Sequence, residues 1–390
     1  MRLLHTSDWH LGRQFHGASL LEEQAAALDR IVALAAEAEV DAVLIAGDLY
    51  DRAIPPAEAV QLFNDTLARL RQGGAAVVAI AGNHDSHVRV SVYDPLLASF
   101  GVTIRGDVAR AHEPVLVQPC RGGDPVAIYP LPYLEPSVDG AALQEGDQPP
   151  QRLRHEEVTR LALARIHRQR NRSPGQRAVL VAHTFAAGGE GCESERELTV
   201  GNVDRVSVEA FAGFDYVALG HLHGSQELAG PRLAYSGTPL PYSFSEQHQL
   251  KSVRLVELAA DGSPSVELCA LGVGRPLRTL EGELEALLTD PGHRAAEAAR
   301  LRVILRDEAL PLQAMARLRQ RFPHVAELRH EPPTVERSAS GDRIRQVRQA
   351  RSPLDLTTAF FSDQQGRSPN AEEAALLAEA LAAAAAGGER

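Results

Sequence analysis

Residues 40–52, V-D-A-V-L-I-A-G-D-L-Y-D-R, contain the pattern around which the rest of the chain is organised. The apolar run at 42–46 predicts a buried β-strand, and Gly47 ends it and places Asp48 and Asp51 at the start of a loop. Carboxylates that follow a buried strand lie at the sheet edge where open α/β folds bind ligands. A lone Gly-Asp pair usually indicates only a turn, so the interpretation depends on whether the pattern recurs.

Polar side chains also follow four other predicted strands, at residues 2–6, 75–80, 178–182 and 214–219. We predict that these strands belong to one sheet, whose edge would then bring the polar side chains together. With Asp48 they form a set of seven candidate ligands: Asp8, His10, Asp48, Asn83, His183, His221 and His223.

This set of seven contains oxygen and imidazole donors and no thiolate. Such donors favour Mn²⁺, Mg²⁺, Fe or Zn²⁺ in an open catalytic site over a structural zinc. Seven ligands are too many for one ion but suit two ions that share a carboxylate. Two metals about 3.5–4 Å apart form the clamp that is used in phosphoester hydrolysis. Packing alone does not explain the set, because unpaired buried polar groups are costly.

Composition sets limits on the class of protein. The chain has 390 residues, of which 44% are hydrophobic and 23% charged, as is ordinary for a globular protein of two or three domains. We find no signal peptide and no membrane-spanning run. Three widely spaced cysteines predict neither a disulfide framework nor a zinc cluster, and so favour a reducing cytoplasm.

Charge argues against simple nucleic-acid binding, because the net charge is −11 and phosphate backbones favour basic surfaces. The distribution is uneven, however. Residues 151–177 contain eight arginines and two glutamates, in a predicted helix whose charged face we interpret first as solvated. Lys251 is the only lysine.

The pattern of elements predicts an α/β fold, with a core of β-sheets flanked by helices, over residues 1–273. Within it we predict helices at 20–38, 56–71 and 90–100, and a meander of short strands at 101–132. A small α+β domain is predicted at 274–337, a polar basic linker at 338–351, and two helices at 352–390. The first of these helices begins at Ser352-Pro353, and its Phe360-Phe361 pair needs a partner surface.

In this order, D-x-H, G-D-x-x-D, G-N-H-D, a single histidine and G-H-x-H resemble the calcineurin-like metallophosphoesterase superfamily. The resemblance covers about the first two-thirds of the chain. Within that superfamily, S-D-W-H-L-G at 7–12, E-S-E-R at 193–196 and the C-terminal layout are similar to bacterial nuclease subunits that act with an SMC-type ATPase.

The resemblance implies roles for these residues. Asp8, His10 and His223 would hold one metal, Asn83, His183 and His221 the other, and Asp48 would bridge them. His84 would be the catalytic histidine, and Asp51 would orient it and favour its protonated form. Manganese is the metal we expect, with Mg²⁺, Fe or Zn²⁺ as alternatives. Arg13 and Arg52 are close enough in sequence to the site to contact backbone phosphate.

The same resemblance implies partners. DNA would be cut by double-strand exonuclease and single-strand or hairpin endonuclease activity, in repair and recombination at the cytoplasmic nucleoid. Residues 274–337 would cap the site, residues 352–390 would bind the ATPase, and helices 56–71 and 90–100 would form a homodimer. A stand-alone metallophosphoesterase for nucleotides or phosphoproteins has no need of the additional domain or the C-terminal helices. A non-catalytic scaffold could lose ligands, and here none is missing.

Overall fold

The structure is a computed structural model that describes residues 1–144, 153–195, 205–333, 352–365 and 367–387. The predicted linker at 338–351 lies outside these residues. The helices are α1 (Leu21–Glu37), α2 (Ala57–Gln72), α3 (His87–Ser91), α4 (Asp94–Leu97), α5 (Pro136–Leu143), α6 (His155–Arg170), α7 (Leu284–Thr289), α8 (Ala314–Arg321), α9 (Pro353–Gln365) and α10 (Ala371–Gly387). No helix in the described ranges has the length and apolar character that a bilayer span needs.

Most of the strands belong to two sheets of six strands each. The strands are β1 (Arg2–Thr6), β2 (Gln14–Phe15), β3 (Ala18–Ser19), β4 (Ala42–Ile45), β5 (Ala76–Ile80), β6 (Val102–Arg105), β7 (Val115–Val117), β8 (Val126–Leu131), β9 (Ala178–His183), β10 (Tyr216–Gly220), β11 (Gln226–Glu227), β12 (Leu233–Tyr235), β13 (Ser252–Leu258), β14 (Pro264–Ala270), β15 (Leu277–Gly282), β16 (Arg300–Leu305) and β17 (Val325–His330).

The first sheet has the order β14-β13-β1-β4-β5-β6 and the second β11-β12-β10-β9-β8-β7. In each sheet four adjacent strands are parallel, and antiparallel strands lie at one or both edges. The prediction of one sheet was therefore wrong. The predicted meander at 101–132 was also wrong, because β6 pairs with β5 in the first sheet whereas β7 and β8 belong to the second.

The two sheets pack face to face, and alternation along the strands explains why. In β4, Ala42 and Leu44 join a buried cluster that contains strands of both sheets, whereas Val43 and Ile45 face the other way. Side chains of a strand alternate between its two faces, so an uninterrupted apolar strand must be covered on both. Helices α1 and α2 cover the first sheet and α6 covers the second, which gives four layers.

The helix predicted at 90–100 is broken into α3, α4 and a 3₁₀ turn at Ala98–Phe100. Pro95 explains the break, because proline has no N–H to continue a helix but fits its first turn. The helix predicted at 56–71 is observed as α2. All three cysteines are free.

The chain forms two compact units. The first contains Met1–Leu280, Asp290–Val303 and Met315–Leu328, and the second contains Glu281–Thr289, Ile304–Ala314 and Arg329–Arg390. Strands β15, β16 and β17 form a three-stranded sheet, and residues 277–280, 300–303 and 325–328 of it belong to the first unit.

In the second unit, α9 and α10 contact each other, and both begin with the predicted caps. The Ser352 hydroxyl accepts a hydrogen bond from Asp355 N–H, and Asn370 and Glu373 form a reciprocal capping box.

The two large sheets approach each other closely at Gly220, the last residue of β10. A Cβ atom at this position would lie 1.8 Å from the carbonyl oxygen of Ala46, just beyond β4. Only a residue without a side chain permits this approach, because the atom in the way is main chain and cannot rotate aside.

We therefore expect Gly220→Ala to lower the free energy of unfolding by about 1–3 kcal/mol, as overpacking of a filled interior does. Urea denaturation measures the change. Gly73→Ala is the matched control: Gly73 ends α2 with right-handed φ and ψ, and its nearest neighbour would be 3.4 Å from the new Cβ. That substitution should change stability by less than about 1 kcal/mol. Equal stability of Gly220→Ala and the native protein would contradict the close approach of the sheets.

Candidate active site

The candidate ligands lie together at the carboxyl ends of parallel strands of both sheets. The first sheet supplies those after β1, β4 and β5, and the second sheet supplies those at the ends of β9 and β10. All but Asn83 are almost completely buried. The structure thus brings together the seven predicted ligands, although it does so across two sheets.

The backbone at these strand ends is in an unusual conformation. Only seven non-glycine residues of the described chain have positive φ, and four of them are candidate ligands: Asp8 (53°), His10 (43°), Asp48 (47°) and His221 (110°). Each such conformation costs on the order of 1–3 kcal/mol and persists only where the surrounding structure enforces it. Strain that is concentrated in one cluster indicates a functional site.

Two groups of donors meet at Asp48. On one side, Nε2 of His10 lies 3.2 Å from Nε2 of His223. On the other, Asn83 Oδ1 lies 2.9 Å from His183 Nε2 and 3.3 Å from His221 Nδ1. Oδ2 of Asp48 is 3.6 Å from His10 Nε2 and 3.6 Å from His183 Nε2, so it lies between the two groups.

Hydrogen bonds of His183 fix the direction of its lone pair. Its Nδ1–H donates to the carbonyl of Ala46 at 2.8 Å, and burial lowers the pKa of this histidine. Nε2 is therefore unprotonated, and it faces Oδ1 of Asn83, which is also an acceptor. Two acceptors in contact repel each other unless a cation lies with them. The donor set therefore fits a metal.

Two residues of the cluster also have a buried polar atom without a partner among the described residues. Among the described residues, Nδ1 of His10 and Nδ2 of Asn83 are buried and have no hydrogen-bond partner. These atoms are not the ones that would bind a cation, because Nε2 of His10 and Oδ1 of Asn83 are the atoms that face the other donors.

Electrostatics also favour a cation. Burial raises the pKa of Asp8, and the negative charge of the neighbouring Asp48 raises it further. Burial lowers the pKa values of His10, His221 and His223. Neighbouring imidazoles lower those of His10 and His221 further. Each shift makes the charged form of its group unfavourable. A divalent cation would reverse the penalty on the carboxylates and needs the unprotonated imidazoles. Groups suitable for a metal include Asp8 with His10 and His223, and Asp8 with Asp48 and His183.

His84 lies beside this cluster and is tied to it twice. Its main-chain N–H donates to Oδ1 of Asp48 at 2.9 Å, and its Nδ1–H donates to the carbonyl oxygen of Asp51 at 2.9 Å. Nε2 therefore faces the cluster, 4.0 Å from Oδ2 of Asp48. The imidazole is positioned to exchange its proton at Nε2.

The structure changes the contact expected of Asp51, because its carboxylate does not bond to His84. It accepts from Nη1 of Arg13 at 3.2 Å and lies 3.9 Å from Nδ1 of His10, while only its main-chain carbonyl contacts His84. Arg13 also donates to the carbonyl of Ser194 at 3.1 Å. Arg52 directly follows Asp51 in the same loop, and its side chain is exposed.

Two positioning residues were not assigned from the sequence. The Asp85 carboxylate accepts from the main-chain N–H groups of Leu49, Tyr50 and Gly82 at 2.9–3.0 Å, which joins two ligand loops. It is the last residue of the G-N-H-D motif, so the motif itself contained the signal.

Gln24 of α1 is the second such residue. Its amide donates to the carbonyls of Trp9 and His10, and its oxygen accepts from Gly12 N–H. A glutamine at helical spacing from Leu21 and Leu28, on the apolar face of α1, was the available signal.

Comparisons with known proteins agree with this geometry. Residues 1–225, more than half of the chain, match the calcineurin-like phosphoesterase family, to which the chain therefore belongs. Residues 273–365 match a second family, described as the type 5 capsule protein repressor C-terminal domain.

Named relatives narrow the assignment. The SbcD subunit of the nuclease SbcCD of Bacillus subtilis is 33% identical over 382 residues, which cover 96% of this chain and 95% of that protein. The SbcD subunit of Escherichia coli K12 is 32% identical over 299 residues, covering 74% of this chain and 72% of that protein. The chain is thus a metal-dependent phosphodiesterase, an SbcD-like nuclease. A solved structure of TT1561 of Thermus thermophilus gives a TM-score of only 0.41 at 16% identity, covering 69% of this chain and 98% of that one.

Proposed function

We propose that this chain is the DNA-cutting subunit of a nuclease–ATPase complex, with two metals in its active site. The observation that carries the proposal is the position of Asp48 between two groups of buried donors. Asp8, His10 and His223 would hold one ion and Asn83, His183 and His221 the other, with Asp48 shared. The donor atoms of Asp8, His10 and His223 converge. In the other group, Oδ1 of Asn83 lies 2.9 Å from His183 Nε2 and 3.3 Å from His221 Nδ1.

We infer manganese as the metal. The cluster combines four imidazoles with two carboxylates and one amide, and it contains no thiolate. The four imidazoles disfavour Mg²⁺, which prefers all-oxygen ligands with several waters, and the three oxygen donors suit Mn²⁺. Assays with Mg²⁺, Fe²⁺ and Zn²⁺ at matched concentrations test this choice.

His84 would supply the proton that the leaving oxygen receives. When bound, the two ions supply positive charge for the phosphodiester and lower the pKa of water. The carbonyl of Asp51 holds Nδ1–H of His84 in both protonation states, so the proton that is gained or lost lies on Nε2. That N–H would stabilise charge on the phosphoryl group and then protonate the leaving oxygen. The Asp51 carboxylate would instead hold Arg13 beside His10, from where Arg13, with the exposed Arg52, would contact the DNA backbone.

His84→Ala should lower Mn²⁺-dependent DNA cleavage by about 10²–10⁴-fold, because it removes a general acid. Metal binding should persist, because His84 holds no ion in this proposal. Cleavage of hairpin, blunt and single-stranded DNA and Mn²⁺ titration measure the two effects.

The control for this variant is His293→Ala, which alters a histidine that is paired only with Asp290 in the described contacts. Full cleavage by His84→Ala would refute its catalytic role. Cleavage of nucleotides or phosphopeptides in preference to every DNA substrate would favour the stand-alone phosphoesterase instead.

Residues 274–337 would form a cap that shapes access of DNA to the site. Contacts within the first compact unit support this role. Arg300 of β16 forms two hydrogen bonds, of 2.7 and 3.0 Å, with the Glu23 carboxylate of α1, and Arg302 lies 4.6 Å from the Phe244 ring centre. The part of the cap that belongs to the first unit would then limit the end structures that enter.

The C-terminal helices would bind the ATPase, which we take to be an SbcC-type protein of the SMC class, since the relatives are named as parts of an SbcCD nuclease. Phe361 is covered by the Arg367 guanidinium, 5.7 Å from its ring centre, but Phe360 is 65% exposed. Leu354, Leu356 and Leu376 of α9 and α10 are also exposed. Apolar side chains exposed on these two helices favour a protein-binding surface. Such a complex would act in repair and recombination at the nucleoid.

Phe360→Asp should weaken co-purification with a co-expressed SbcC-type ATPase by about tenfold or more, as loss of a buried interface anchor does. Truncation after Ser352 should abolish association. Leu116→Asp is the matched control, since Leu116 lies on β7 and is 59% exposed. Unchanged association after truncation would refute this docking site.

A homodimer would use an exposed apolar patch made by Val88, Val92, Tyr93, Leu96 and Phe100, which are 58–77% exposed. Helix α2 would contribute less than its apolar pattern alone suggests. Its apolar face, including Phe63, Leu67 and Leu70, is buried within the chain and is not available to a second copy. The patch at 88–100 would therefore provide most of the apolar contact.

Leu96→Asp should convert a dimer into a monomer, because a carboxylate without a partner is costly to bury. Sedimentation equilibrium measures the mass, again with Leu116→Asp as the control. A native protein that is already monomeric, or a dimeric Leu96→Asp variant, would contradict the proposed interface.

A further inference from the structure

The imidazole of His223 is held by a side-chain relay that has no part in the mechanism above. Its Nδ1 lies 2.6 Å from the Ser194 hydroxyl, and this hydroxyl lies 2.5 Å from Oε1 of Glu246. A carboxylate only accepts hydrogen bonds, so the hydroxyl donates to Glu246 and must accept from Nδ1–H of His223. The lone pair of His223 is then on Nε2, which faces His10.

Lys251 completes the relay at its far end. Its ammonium donates to Glu246 Oε2, to the Thr238 hydroxyl and to the carbonyl of His223. Glu246 is only 1% exposed, so its charge needs a buried counter-charge. The one lysine of the chain supplies it.

The segment that carries Ser194 holds His223 a second time, through the main chain. The Glu195 carboxylate accepts from His223 N–H at 2.7 Å and from Cys192 N–H at 3.0 Å. Arg13 donates to the Ser194 carbonyl, which fixes the segment from the side of β1. Ring and main chain of His223 are thus both oriented by residues 194 and 195.

His183, one of the two histidines of the other donor group, is oriented differently. Nδ1–H of His183 donates to the main-chain carbonyl of Ala46, so no side chain is needed. In addition, a Cβ at Gly47 would lie 2.2 Å from His183 Nδ1, so the ring is confined against the backbone. The orientation of His223 therefore depends on a replaceable hydroxyl, whereas that of His183 depends on the backbone.

We propose that Ser194 and Glu246 are positioning residues that orient His223 toward its metal, with Lys251 as the counter-charge of Glu246. The inference rests on the proposed two-metal site and extends it, because only one of the two ions would depend on the relay for its affinity. Removal of the relay should lower the affinity for the ion at Asp8, His10 and His223 and leave the affinity for the other ion unchanged. Loss of such an outer hydrogen bond typically lowers metal affinity by about 10–100-fold.

The test is Mn²⁺ titration of the full chain, followed by electron paramagnetic resonance and calorimetry. The native protein should bind two ions. Ser194→Ala should bind one ion with native affinity and the second about 10–100-fold more weakly. Ser194→Thr keeps a hydroxyl and should restore the second Kd, and Glu246→Gln should reproduce the weakening. Glu193→Gln, an exposed neighbour that contacts Ser243, is the matched control.

The outcomes separate the two proposals. Native stoichiometry and both native Kd values in Ser194→Ala would overturn the relay and leave the two-metal site standing. An equal loss of affinity for both ions would also overturn the relay, because the effect of the substitution would then be general and structural. A native protein that binds fewer than two ions would contradict the proposed function, and the relay with it.

Discussion

The fold depends on one close approach, where the carboxyl ends of the two sheets meet. Gly220 brings its backbone against the carbonyl of Ala46, and Gly47 allows the His183 ring to lie against the backbone. The same Ala46 carbonyl then accepts the Nδ1–H of that histidine. Because the sheets touch here, donors from both can share one cluster, and larger residues at these glycines would separate them.

Burial of this cluster is unfavourable for the protein alone. The carboxylates of Asp8 and Asp48 are neighbours, several imidazoles have lowered pKa values, and four of the candidate ligands have left-handed backbone conformations. Each of these features destabilises the folded protein alone, as expected of a site that bound cations stabilise. The rest of the molecule can be understood as the scaffold that supports them.

Local pattern was enough to predict which polar side chains the structure brings together, because each follows an apolar strand within one or a few positions. Sheet membership was not predictable, since strands β1, β4 and β5 look like β9 and β10 in sequence. The contact of Asp51 could not be predicted either, because it depends on the direction of a main-chain carbonyl. The Ser194–Glu246 contact joins residues 52 positions apart, on a loop and a 3₁₀ turn without a periodic signal. By contrast, Pro95 was visible in the sequence, and the helix break there could have been predicted.

Anomalous diffraction tests most directly whether two metals share Asp48. Crystals grown with Mn²⁺ and measured at the manganese absorption edge should show two peaks about 3.5–4 Å apart. Both peaks should contact the Asp48 carboxylate, one beside His10 and His223 and the other beside His183 and His221. A single peak, or a pair of which only one contacts Asp48, would contradict the account.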